Sequence, residues 1–105
     1  MSELILVKAK IKMKPTEEGG RKTGFVSGYR PNHVFEYENG KMINSWVGDI
    51  QFNDYDSINP GEEKIVLVRF IYRQELLDKY LQIGRKWWIH EGTNQLGEAE
   101  VLEIL

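Results

Sequence analysis

Residues Ile5–Met13 read Ile-Leu-Val-Lys-Ala-Lys-Ile-Lys-Met. Apolar side chains return at every second position (Ile5, Val7, Ala9, Ile11, Met13), Lys8, Lys10 and Lys12 fill the gaps from position 8 on, and Lys14 follows. A period of two marks a strand with one face in a core and the other carrying a lysine row. Working outward, residues 33–38, with Val34, Phe35 and Tyr37, predict a second strand. Asn39-Gly40 then supplies a hairpin turn, because both residues tolerate positive φ. Residues 42–52 return, with a possible bend at Gly48, and residues 53–61 end in Asn-Pro-Gly, which is loop chemistry. Residues 64–72 are rich in β-branched and aromatic residues and read as a central strand, apolar on both faces at first. That pattern means either burial on both sides or a surface that meets something. Leu76, Leu77, Tyr80 and Leu81 fall near helical spacing, so residues 74–82 predict at most a short helical turn, ended by Gly84. Residues 86–90 and 95–104 are the last strands, joined by the loop 91–94. Six or seven strands with closely spaced turn signals predict an all-β, small antiparallel barrel.

The 105 residues suffice for one domain spanning 1–105. At 41% hydrophobic and 29% charged residues, the composition is that of an ordinary globular domain. There is no cysteine, which removes disulfides, thiolate catalysis and zinc–thiolate sites together. With no apolar run long enough to cross a bilayer and no signal peptide near Met1, the expected location is cytoplasmic. Charge is uneven: residues 1–31 carry seven Lys/Arg against three Glu, the remainder seven against thirteen acidic residues. Catalysis finds no footing. His33 and His90 are far apart in sequence, no Gly-x-Ser-x-Gly elbow occurs, and Asp54 and Asp56 lack the Gly and Glu of a calcium loop. The expectation is a non-enzyme with no cofactor and no metal.

Residues 17–31 are the most informative stretch beyond the strands. Gly19, Gly20, Gly24 and Gly28 permit sharp bends around Arg21, Tyr29 and Arg30, and Pro31 closes the segment. The pattern Gly-Gly-Arg-x-Thr-x-Phe-x-x-x-Tyr-Arg-Pro resembles the start of the C-terminal, third barrel of the translation elongation factor Tu family. Val7-Lys8-Ala9 fits that domain's first strand. Asn59-Pro60-Gly61-Glu62 resembles the turn before its long central strand. Trp87-Trp88-Ile89-His90-Glu91-Gly92, then Leu96-Gly97, is similar to its Phe-Ala-Ile-Arg-Glu-Gly and Val-Gly. The motifs fall in the family's order along nearly the whole chain, but no Gly-x-x-x-x-Gly-Lys-Ser/Thr phosphate loop is present. The resemblance implies a six-stranded antiparallel Greek-key barrel standing alone, without the GTPase and without nucleotide binding.

The resemblance also implies binding residues. Lys8 and Lys10 could follow a phosphate backbone. They better suit a solvated face, or an edge protected against sheet-to-sheet pairing. In the family, the loop holding Arg21 lies near other domains. Here Arg21 could pair with a carboxylate or meet a partner, and both Arg21 and Arg30 are expected to be held in place. Asn32 stands where relatives commonly have Gln, which with the Glu matched by Glu91 contributes to contact with the T-stem of aminoacyl-tRNA. His90 replaces the family's basic residue and Asn94 a nearby Arg. Glu36-Tyr37-Glu38-Asn39-Gly40 replaces its Thr-rich hairpin. These changes remove positive charge where an anionic ligand would sit. Trp87 is expected in the core, whereas Trp88 points outward, as a partner anchor or a stacking platform unless residues 76–81 cover it. The leading expectation is a protein–protein interaction module linked to translation, meeting a translation GTPase or itself. The alternative is a weak tRNA/RNA-binding accessory.

Overall fold

The structure, a computed structural model, describes residues 4–70 and 75–105, with side chains from residue 78 onward in the second stretch. The element order is β1 (Ile5–Met13), a 3-10 turn (Thr16–Glu18), β2 (Phe25–Val26), β3 (Asn32–Val34), β4 (Glu36–Glu38), β5 (Lys41–Ile43), β6 (Trp46–Gln51), β7 (Ser57–Ile58), β8 (Glu63–Phe70), α1 (Glu75–Tyr80), β9 (Lys86–Glu91) and β10 (Asn94–Ile104). Six strands close an antiparallel barrel in the order β1-β10-β9-β3-β6-β8, and β8 returns to β1. The consecutive strands β3, β6 and β8 form a meander with β1 beside β8, a Greek-key arrangement. The pairs β2–β7 and β4–β5 form small sheets of their own.

The alternation in β1 sets the inside and the outside. Val7, Ala9 and Ile11 are fully buried, and Val68, Phe70, Trp87, Ile89 and Val101 meet them from other strands. Phe35 stacks on Trp87 at 5.2 Å and on Tyr80 at 5.3 Å. Leu81 is also buried, so the end of the helical segment turns into the core. The lysine row faces outward, but β1 pairs with both β8 and β10 and is not an edge. The edge-protection reading of the lysines is therefore overturned.

Two expected strands are each broken in two. Residues 33–38 divide at Phe35, whose side chain turns inward while its carbonyl accepts Arg85 Nη2 at 2.7 Å. Residues 42–52 divide at Asn44–Ser45, where Asn44 takes φ 60°. The β4–β5 hairpin thereby forms a sheet separate from the barrel. Its turn is the expected one, with Asn39 at φ 52° and Gly40 at φ 76°. Residues 91–94 prove to be a tight Gly92–Thr93 turn between β9 and β10, since both strands extend further than their apolar patterns. Ile71, at the end of the expected central strand, and Leu76 and Leu77 of the expected helical turn lie outside the described side chains.

Candidate functional site

The glycine-rich segment is fixed by close backbone approach. A Cβ on Gly20 would lie 2.1 Å from the Lys14 carbonyl oxygen, so only glycine fits there. The carbonyl of Arg21 accepts from Thr16 Oγ1 at 2.6 Å. With the backbone held, the Arg21 guanidinium lies 4.7 Å from the centre of the Tyr29 ring and 5.9 Å from that of Phe25. Its Nη1 donates to Glu91 Oε2, and its Nε donates to the Thr23 carbonyl at 3.2 Å. The Tyr29 hydroxyl donates to the same Glu91 oxygen. Burial, and then the bond to Glu91, push the Tyr29 pKa up, so the hydroxyl keeps its proton and remains a donor. Arg21 and Glu91, both singled out in the sequence, are thus brought together, and Tyr29 joins them.

His90 is almost fully buried, and its Nε2 is hydrogen-bonded to the Tyr37 hydroxyl. Gln95 Nε2 donates to that hydroxyl oxygen at 3.1 Å. Burial, with the Lys14 ammonium in the same direction, pushes the His90 pKa below its ordinary value. The outer face of β9 therefore holds at this position a buried ring that resists protonation, beneath the β4–β5 hairpin. Asn32 lies across from His90 in register, half-buried.

The remaining candidates are dispersed. Trp88 does point outward and is half-buried, but Tyr37 covers it edge-to-face at 5.3 Å, not the end of the helical segment. Lys8, Lys10 and Lys12 stand opposite Glu103, Glu100 and Glu98 of β10. A row of carboxylates thus flanks the row of lysines, and the potential a phosphate backbone would meet is largely cancelled. Arg30 is not held, contrary to expectation: it is exposed and makes no hydrogen bond or ion pair among the described residues. Continuing the register of Asn32↔Val47 and Tyr29↔Ile50 puts Arg30 across from Asp49. That carboxylate already accepts Arg69 Nη2 at 2.7 Å and Gln51 Nε2 at 2.9 Å.

No protein-family model matches the chain.

The sequence missed the role of His33. Trp87 Nε1 donates to His33 Nδ1 at 2.9 Å, so the ring proton sits on Nε2 and donates to the Gly48 carbonyl at 2.9 Å. Burial pushes its pKa down to about 4, although the Gly48 carbonyl and the Asp49 charge pull it the other way. His33 and His90 sit on adjacent strands but on opposite faces of the sheet. Among the described residues, no group of three or more His, Cys, Asp or Glu side chains is placed to hold a metal ion. No helix among them is long and apolar enough to cross a membrane.

On the outer face of β8, Ile65 is 56% exposed and Leu67 is half-buried beside it. With Phe52 they line a cleft of about 470 Å³ that Lys8 and Lys64 also border. Lys64 is steadied by Asp56 at 3.4 Å and lies 5.9 Å from the centre of the Phe52 ring.

Proposed function

We propose that the chain is a non-catalytic protein-binding module linked to translation. It resembles the third barrel of the elongation factor Tu family and docks a translation GTPase, or a second copy of itself, through the outer face of β8. One observation carries this reading: Ile65, Leu67 and Phe52 form an apolar cleft, and Tyr80 and Leu81 turn into the barrel rather than over it. Contiguous apolar surface on a soluble domain is commonly a contact site. Lys8, which stands across from Leu67, would orient the approach, since peripheral charge mainly steers encounter. Both imidazoles are buried and hydrogen-bonded through Nε2, which supports a non-catalytic role.

The charge pattern weighs against RNA as the ligand. Glu91 is committed to Arg21 and Tyr29, and each outward lysine of β1 faces a glutamate. The test is to titrate isotope-labelled protein separately with a purified translation GTPase and with tRNA. The expected result is resonance shifts on β8 and residues 51–56 with the GTPase, and little change with tRNA. Shifts centred on β3 and β9 with tRNA, weakening steeply as salt is raised, would overturn the reading.

A further inference from the structure

Between the 3-10 turn and the outer face of β9 and β10 lies a second concavity, of about 200 Å³. Its apolar lining comes from Trp88, half-buried on the outer face, and Pro15. Tyr37 braces the indole edge-to-face from the hairpin, at an interplanar angle of 67°. The rim carries both signs of charge, Lys12 and Lys14 from the end of β1, Glu18 from the turn and Glu98 from β10. None of these four enters an ion pair among the described residues, although all border one small hollow. Lys14 and Glu98 are half-buried, which raises the strength of any bond they make. The amide of Gln95 lies on the same rim.

Four charges of balanced sign, Lys12 facing Glu98 across the strands without a direct ion pair, do not complement a simple anion or a simple cation, because either would be repelled by half of them. They complement a small molecule that carries both charges and a flat or apolar group for the indole. We propose that this hollow binds a free α-amino acid with an aromatic or large apolar side chain. Its carboxylate meets Lys14 and Lys12, its ammonium meets Glu98 and Glu18, and its side chain lies on Trp88. Charge-assisted hydrogen bonds are the stronger class, and aromatic stacking adds area without ordering a long chain.

The experiment follows the Trp88 indole N–H resonance of the whole chain during addition of L-phenylalanine. N-acetyl-L-phenylalanine amide, phenethylamine and 3-phenylpropionate serve as analogues that lack both charges or one. L-phenylalanine is expected to bind about tenfold or more tightly than the uncharged amide, and more tightly than either singly charged analogue. Glu98→Gln should reduce its advantage over phenylpropionate, and Lys14→Gln its advantage over phenethylamine, with the far-ultraviolet spectrum unchanged. Trp88→Ala should abolish binding, followed then by calorimetry. The proposal is overturned if the indole resonance does not move at about 10 mM L-phenylalanine, a range in which even a weak site fills. It is equally overturned if the uncharged amide, or either singly charged analogue, binds as tightly as the amino acid.

Discussion

Arg21 and Glu91 stand 70 residues apart in sequence and are joined by an ion pair that ties the glycine-rich segment to the β9–β10 turn. The two side chains are 22% and 46% exposed, so solvent screens the pair, and alone it contributes under about 1 kcal/mol. The Tyr29 ring beneath the guanidinium adds a cation–π contact of about 0.5–1 kcal/mol. In a double-mutant cycle, Arg21→Met and Glu91→Gln should each destabilise the fold, with a coupling of about 0.5–1 kcal/mol. Urea denaturation measures it. Purely additive effects would show that the pair contributes nothing.

Acid should weaken the fold through His33. In the native state the ring is neutral, with a pKa near 4 against 6.5 when exposed, so the unfolded chain takes up the proton first. The stability from keeping it neutral is complete above about pH 6.5 and is lost as pH falls towards 4. At ~1.4 kcal/mol per pKa unit, the loss from this one group approaches 3 kcal/mol. Denaturation midpoints at several pH values, with the His33 ring resonance followed by NMR, check it. A His33 that titrates at its ordinary value would contradict the bonding to Trp87 and Gly48.

The hairpin should depend on one hydroxyl. Tyr37→Phe leaves the buried Nε2 of His90 and the Gln95 amide without their shared partner. The expected cost is about 1–3 kcal/mol. Faster hydrogen exchange should be confined to β4 and β5, because among the described residues these strands pair only with each other. Exchange that rises across the whole barrel would show that the hairpin is not a separate unit.

Gly20→Ala should be more damaging than Gly28→Ala. The first forces a methyl group to 2.1 Å from a carbonyl oxygen, whereas the second meets only the strain of φ 97° with open space around it. Backbone strain at Gly28 costs about 1–2 kcal/mol, and the clash at Gly20 exceeds it. Thermal melts rank the two.

Much of the barrel was legible in the chain because its evidence is local. The alternation of Ile5 to Met13 and the Asn39-Gly40 turn each need only their neighbours to act. The strand break at Phe35 was not legible, since it follows from Trp87 and Tyr80 meeting that ring across the core. The order of motifs marked Arg21 and Glu91 as notable but could not show that they meet. The outward placement of Trp88 follows from strand alternation, but its cover does not, because Tyr37 reaches it only once the hairpin leaves the barrel. The lysine row alone leaves a binding surface and a solvated face both open, and only the register shows Glu98, Glu100 and Glu103 beside it.

The most direct test of the account is calorimetric titration of a purified translation GTPase into the native chain and into Ile65→Glu. Ile65 is exposed, so the substitution should leave the barrel intact. The account predicts binding to the native chain and at least about tenfold weaker binding to the variant, a difference of ~1.4 kcal/mol or more. Equal affinity for the two proteins, or no binding to the GTPase alongside salt-sensitive binding to tRNA, would contradict it.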